Sequence, residues 1–425
     1  MSHYKPYPAY KDSGVEWIGQ VPNHWEIARI KRHASIRTER RSDVPADTSY
    51  VGLEDVEAES GQLRPTNGNS RQTEDSTVGI FYEQDVLYGK LRPYLRKAIV
   101  AETDGACSTE FLVLRTINTL PRWLHQWLLT PVVTQQIESG CDGAKMPRAD
   151  WEHVGSIEMP SPCPEEQSQI LACLDRETTR IDALITKKTR FIELLKEKRQ
   201  ALITHTVTKG LDPNVKKSDS RVEWIGEVPE HWQVKPFFSL ALELNRKNLG
   251  MTETNILSLS YGRIIPKPES KNLGLVPESY ETYQIVEPGE IVFRFTDLQN
   301  DKRSLRSAQV IERGIITSAY MAVKPIGIDS SYFAWLMRAY DHLKVFYAMG
   351  GGLRQSLKFE DVRRIPVLMP SIQEQQHIVK VLETQLGWVD QLVEKTQRSI
   401  YLLKERRSAL ITAAVTGQID IRESA

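Results

Sequence analysis

Two stretches of this sequence carry side chains suited to touching a nucleic acid. Lys90, Arg92, Tyr94, Arg96 and Lys97 fall in one run, and Pro93 within it argues for an exposed loop or edge rather than a central strand. Farther on, Arg294, Lys302, Arg303 and Arg306 are interleaved with Thr296, Asp297, Gln299 and Asn300. Lysine and arginine suit phosphates and guanine edges, and asparagine and glutamine suit adenine, so both runs have the composition of a base-reading loop. Each is followed by a glycine-rich turn with further candidates, Lys145 and Arg148 in CDGAKMPR and Arg354 and Gln355 in GGGLRQS. Arg29, Lys31, Arg32, Arg37, Arg40 and Arg41 form another basic stretch. A basic run taken alone is more often a solvated surface; recurrence at corresponding places in the two halves of the chain is what favours DNA.

Residues for catalysis are missing by comparison. There is no G-x-x-x-x-G-K-[ST] phosphate loop, no H-E-x-x-H metal pair and no G-x-S-x-G elbow. Neither Asn-Pro-Pro nor Asp-Pro-Pro occurs, the tripeptides with which amino-methyltransferases hold a target amine. Gly350-Gly351-Gly352 reads as a simple turn. His24 and His231 sit in a repeated P-x-H-W motif beside Trp25 and Trp232, which suits packing or partner contact better than base catalysis.

Composition sets outer limits. The 425 residues suggest two to four domains, and a hydrophobic share of 40% can build cores. Lys+Arg and Asp+Glu are both 55, a neutral balance that does not by itself favour nucleic acid; local patches set the field a phosphate feels. Cys107, Cys141, Cys163 and Cys173 form no C-x-x-C pair and read as free thiols in a reducing cytoplasm. The polar N-terminus and the lack of any long apolar stretch predict an intracellular chain with no membrane partner.

The sequence repeats itself. VEWIGQVPNHW (15–25) returns as VEWIGEVPEHW (222–232), identical at nine of eleven positions with an offset of 207. LLKEKRQALITHTVT (194–208) returns as LLKERRSALITAAVT (402–416), eleven of fifteen matching at an offset of 208. The bodies between, 26–160 and 233–368, share only a thin pattern, although both end alike: Trp151, Val154, Ile157, Pro162 and Glu166-Gln167 answer to Phe359, Val362, Ile365, Pro370 and Glu374-Gln375. Two similar frames therefore carry two dissimilar inserts.

The charged frame segments predict helices. Apolar residues at Ile170, Leu174, Ile181, Leu184, Phe191, Leu195 and Leu202 keep heptad-like spacing, and Ile378, Leu382, Val389, Leu392, Leu403 and Leu410 repeat it. A second stripe adds Leu171, Ile185, Ile192, Val379, Leu386, Val393 and Ile400. Each segment is expected to form a coiled-coil helix of about 40–45 residues, about 60–68 Å long. Matched stripes and the chain order body, helix, body, helix predict antiparallel pairing, with the chain termini close together. Lys196, Arg199, Lys404 and Arg407 recur on faces the apolar stripe does not require, so with Trp17, His24, Trp25, Trp224, His231 and Trp232 they are candidate contacts for two copies of one partner. A plain spacer or dimerisation arm is the alternative.

The bodies read as α+β. In each, two strand-like runs (81–101 and 107–116; 291–297 and 315–325) precede a helix-like stretch (121–140; 332–349), a glycine turn and a closing strand.

Over essentially its whole length the chain resembles the specificity subunits of type I restriction–modification systems. VEWIG-x-VP-x-HW, IP-x-x-MPSIQEQQ-x-I (365–378) and ALIT-x-x-VTG (409–417) carry the resemblance, and the first copy departs from it only in the Cys-Pro of PSPCPEEQSQI (160–170). It implies an α+β fold: two target-recognition domains with twisted β-sheets joined by two long antiparallel coiled-coil helices, as a pseudo-two-fold internal repeat. The expected layout is a first target-recognition domain at 1–160 with repeat motif 12–25, a first long helix at 161–212, a second domain at 213–369 with motif 219–232, and a second helix at 370–425. It further implies an asymmetric two-part target in double-stranded DNA and two bound copies of a DNA methyltransferase subunit. Restriction/translocase subunits would join these, with S-adenosylmethionine, ATP and Mg on the partners and no cofactor on this chain. A scaffold that binds protein partners without reading DNA is the competing reading.

Overall fold

A stretch from Pro164 to Lys209 free of glycine and internal proline forms one unbroken helix, and Ile372–Val415 forms a second. Pro164 takes the first helical position, where its missing N–H costs nothing, and Glu165 and Glu166 follow at the positive end of the helix dipole. Gly210, at φ +77°, ends the first helix and donates its N–H to Thr206 O. Gly417, at φ +76°, ends the second in a Schellman turn, with Gln418 N–H donating to Ala413 O and Gly417 N–H to Ala414 O. The computed structural model describes residues 4–45, 47–64, 77–141, 143, 145–267, 279–298, 301, 304–349 and 356–424.

The chain divides into two compact units: Met1–Lys188 together with Arg398–Ala425, and Thr189–Gln397. Each unit holds part of both long helices, packed antiparallel. In the first, Ile170, Leu171, Leu174 and Ile181 share a core with Leu410, Ala413, Ala414 and Val415. In the second, Ile203 and Val207 share one with Ile378, Leu382 and Leu386. The heptad reading holds at Ile192 and Leu195, which are buried, and is off in places: Leu184, Phe191 and Leu392 are 47%, 43% and 45% exposed, while Ile203, outside both stripes, is buried. An α-helix of 3.6 residues per turn drifts by about 20° per heptad against a 3.5 repeat, so a fixed stripe leaves the seam after a few turns.

The first body centres on a sheet in the order Ala98–Val100, Val86–Gly89, Phe111–Thr116, Ala34–Arg37. The second repeats that order with Ser307–Gln309, Ile291–Phe293, Met321–Pro325 and Ala241–Leu244. Outside it the bodies differ. The first adds a four-stranded sheet of Arg40–Arg41, Val78–Phe81, Gly105–Cys107 and Tyr50–Val51; the second has Gln284–Val286 paired with Gly314–Ile316, and a hairpin of Leu257–Ser260 and Arg263–Pro266. The helix expected across 121–140 is two helices, Pro121–Leu128 and Pro131–Ser139. Thr130 precedes a proline and is held extended (φ −71°, ψ 142°), which breaks the run. The second body has no such proline and forms a helix, Ser330–His342, capped by the Asp329 side chain on Tyr332 N–H. The stretch expected to run to 349 ends instead in a separate 3₁₀ turn, Val345–Ala348, after left-handed Lys344 (φ +61°).

Frame strands close each body. Glu26–Arg29 pairs with Glu158–Ser161, and Gln233–Pro236 with Pro366–Met369. The termini meet as expected: Tyr4–Lys5 pairs with Asp420–Ser424. Among the described residues no helix is long and apolar enough to cross a membrane.

Candidate nucleic-acid interface

The two predicted runs occupy equivalent hairpin loops. In the first body the loop joins strands Val86–Gly89 and Ala98–Val100, which pair antiparallel. It is shaped by a short 3₁₀ turn, Pro93–Leu95, with Arg92 (φ +54°) and Arg96 (φ +48°) both left-handed at its ends. The glycine-rich turn is stitched to it: Arg92 N–H donates to Pro147 O (2.8 Å) and Ala149 N–H to Lys90 O (2.9 Å). Lys90, Arg92 and Tyr94 thus sit beside Lys145 and Arg148, and Arg92, Tyr94, Lys145 and Arg148 are exposed. Among the described residues Lys90, Arg92 and Lys145 have no carboxylate partner, whereas Arg148 is held two-pronged by Glu110 at 3.1 Å. Arg96 and Lys97 turn the other way: Arg96 pairs with Glu59 at 2.6 Å, and Lys97 Nζ donates to Leu53 O at 2.6 Å. The basic stretch 29–41 is likewise spent locally in part, with Arg29 on Glu158, Arg37 on Asp85 and Arg41 on Glu39.

The loop's return strand rests on His125, which is buried with Nε2 3.0 Å from Ala98 O. Facing a carbonyl, that nitrogen carries the proton and donates it. Burial outweighs the bond to Ala98 and, with the Arg122 charge adding to it, lowers the imidazole pKa to about 4. The unfolded chain takes up this proton near pH 6.5, so the contribution to stability is full above about 6.5 and is lost as pH falls toward 4. Thermal unfolding is expected to show the first unit destabilised by about 2 kcal/mol at pH 5 relative to pH 7, with His125→Gln flattening that slope. An unchanged slope in the glutamine variant would remove His125 as the cause.

In the second body the loop lies between Ile291–Phe293 and Ser307–Gln309, and the segment before helix Phe359–Val362 bonds to it through Leu357 N–H to Phe295 O (3.1 Å). Arg294 and Thr296 are half-buried and Asp297 is exposed at φ +56°. Arg306, expected to touch DNA, is corrected by its burial: its side chain is 0% exposed and its guanidinium is bonded inside the loop. Lys302, Arg303, Arg354 and Gln355 lie outside the described residues. No group of three or more His, Cys, Asp or Glu side chains able to hold a metal occurs among the described residues, and none of the four cysteines is in a disulfide.

The frame motif is a clamp built twice. His24 Nε2 lies 2.8 Å from Glu166 Oε2, and Trp25 Nε1–H donates to Glu166 Oε1 at 3.4 Å. His231 and Trp232 grip Glu374 in the same way, both at 3.0 Å. The neighbouring glutamines tie each body to its helix: buried Gln167 accepts from Leu120 N–H at 2.9 Å, and buried Gln375 accepts from Asp329 N–H at 2.8 Å. Trp25 and Trp232 are buried, which corrects their assignment to a partner surface. Trp17 and Trp224 are half-buried against Trp127 and Tyr340, while His24, His231, Lys196 and Lys404 are exposed. Arg407 and Arg199 form matching ion pairs between the long helices, with Asp182 at 3.0 Å in the first unit and Asp390 at 3.3 Å in the second.

Over 437 residues the sequence is 21% identical to the type I restriction enzyme MjaIX specificity subunit of Methanocaldococcus jannaschii, covering 96% of each chain. It is 27% identical over 175 residues to the EcoDI specificity subunit of Escherichia coli, 39% of this chain and 38% of that one. With the putative MjaX specificity subunit of M. jannaschii it shares 22% over 280 residues, 63% of this chain and 60% of the other. The chain is a relative of type I specificity subunits. It spans less than two thirds of the length of the EcoDI and MjaX subunits. No family model matches the sequence. The fold is shared with a chain solved in work on complex assembly and conformational transition of the type I restriction–modification system (TM-score 0.70, 15% identity, 93% of this chain and 98% of that one). The HsdS subunit from Thermoanaerobacter tengcongensis has it as well (TM-score 0.55, 16% identity, 94% and 98%).

Sequence reading of this specificity-subunit relative missed Glu166, Glu374, Gln167, Gln375, Asp182 and Asp390 as site residues. The signal for them was present. Each pair is separated by 208, the offset of the helix repeat.

Proposed function

We propose that this chain is the DNA-specificity subunit of a type I restriction–modification complex. Its two unlike bodies each read one part of an asymmetric, two-part duplex target. The frame holds two copies of an adenine-N6 methyltransferase subunit and, with them, restriction/translocase subunits. The chain has no catalysis of its own; S-adenosylmethionine, ATP and Mg act on the partners, in the cytoplasm at the nucleoid. One observation carries the reading: the same clamp, glutamine tie and four-stranded sheet are built twice, while the bodies differ in the strands around that sheet and in the side chains on two equivalent hairpin loops. A scaffold for proteins alone has no use for two different heads on one repeated mount.

The test is a salt titration of duplex DNA binding by the chain with its methyltransferase partner. Lys90→Ala, Arg92→Ala and Lys145→Ala are each expected to weaken binding to all sequences alike and to lower the slope of log affinity against log salt by about 1. Binding that ignores salt, or no shift of duplex DNA at all, would favour the protein scaffold.

A further inference from the structure

The two bodies shape their loops by different means. In the first the backbone does it, through the turn Pro93–Leu95 and its left-handed flanks, and no arginine is buried beneath that loop among the described residues. In the second an arginine does it. Arg306 stands where the loop gives way to strand Ser307–Gln309, and its guanidinium turns back beneath the loop. Nη1–H donates to Thr296 O at 2.9 Å, Nη2–H to Asp297 O at 3.4 Å and also to Asp301 O, and Nε–H to Tyr347 Oη at 3.2 Å. The Tyr347 ring centre lies 5.5 Å from the guanidinium carbon. Arg306 N–H donates to the Asp341 carboxylate, and Arg306 O accepts from Arg294 N–H at 2.8 Å, which closes the neck of the loop.

Three loop carbonyls therefore converge on one planar fork. Asp297 holds a left-handed backbone that costs free energy unless its surroundings impose it. A lysine at 306 would keep the charge but not the fork, and could not serve these carbonyls together. We propose that Arg306, which reaches no surface, is a specificity-determining positioning residue: it sets the path of the loop that presents Arg294, Thr296 and Asp297 to the second half-site. This rests on the DNA-reading function proposed above.

The experiment uses the full chain with its methyltransferase partner and a duplex library randomised across the recognised sequence, with methylation of each variant counted. Arg306→Lys is expected to lower discrimination at the second half-site about tenfold and to leave the first half-site at its parental value. Should the lysine variant fail to fold, Tyr347→Phe keeps the ring and removes one hydroxyl, and is expected to give a smaller loss confined to the same half-site. Parental discrimination in the folded variant, or equal loss at both half-sites, overturns the positioning role. A parental complex without any sequence preference overturns the DNA reading and this inference with it.

Discussion

Exchanging residues 26–160 for the corresponding body of a relative is expected to replace one half of the methylated sequence outright and leave the other half untouched. The boundaries are physical. Strands Glu26–Arg29 and Glu158–Ser161 pair with each other in register, Ile27 opposite Pro160, so both ends of the insert leave the frame side by side. Outside them Trp25, His24 and Glu166 stay together, and Gln167 still finds the amide at the start of the incoming helix. The backbone part of this tie carries over to a body of different sequence, whereas the side-chain part, Trp25 against Trp123 and Trp17 against Trp127, requires an incoming body with aromatic or apolar residues at those two places. Each wrong base pair costs about 1–3 kcal/mol, so a half-site of about three bases shifts preference by about a hundredfold or more. Mapping methylated adenines genome-wide in strains carrying the parental and exchanged chains decides the matter. Change in both halves at once would mean that the bodies do not read independently.

What the sequence made legible was whatever is periodic or repeated. The helices, their antiparallel pairing and the meeting of the termini followed from stripes and offsets, because a buried face must recur with the turn of the helix. The loops were legible as places but not as surfaces. Lys90 and Lys97 look alike in a sequence, yet among the described residues Lys90 has no carboxylate partner while the Lys97 ammonium is bonded to Leu53 O, since which way a side chain leaves a turn depends on two left-handed residues. Arg306 was misread for the same reason. A cation in a polar run suggests a phosphate, and nothing local announces that three backbone carbonyls will converge on it. The clamp tryptophans failed differently: repetition marked them as important, but repetition follows from packing as readily as from binding.

Packing is where the frame is most open to attack, and Trp25→Ala should show it. The Trp25 ring is fully buried, edge-on to Trp123 at 5.6 Å and to Tyr7 at 5.7 Å. Removing a buried tryptophan costs about 3–5 kcal/mol, a large share of the roughly 5–15 kcal/mol that holds a domain folded. The loss also strips one donor from Glu166, whose side chain is only 6% exposed and cannot turn to water; His24 and Arg422, at 2.8 and 3.1 Å, are left to hold it. Trp232→Ala should cost less. Trp232 is 6% exposed rather than 0%, and Glu374 keeps 27% of its side-chain surface, so solvent can take over the abandoned carboxylate oxygen. Hydrogen exchange should show Trp25→Ala loosening Pro164–Lys188 and the first body while amides of Thr189–Gln397 keep their parental protection. Trp25→Phe, which refills most of the volume without the indole N–H, should recover the larger part of that stability and so separate the packing contribution from the bond to Glu166. Equal protection loss across both units would mean that the two copies of the frame melt as one body, and that the repeat no longer marks a boundary in stability.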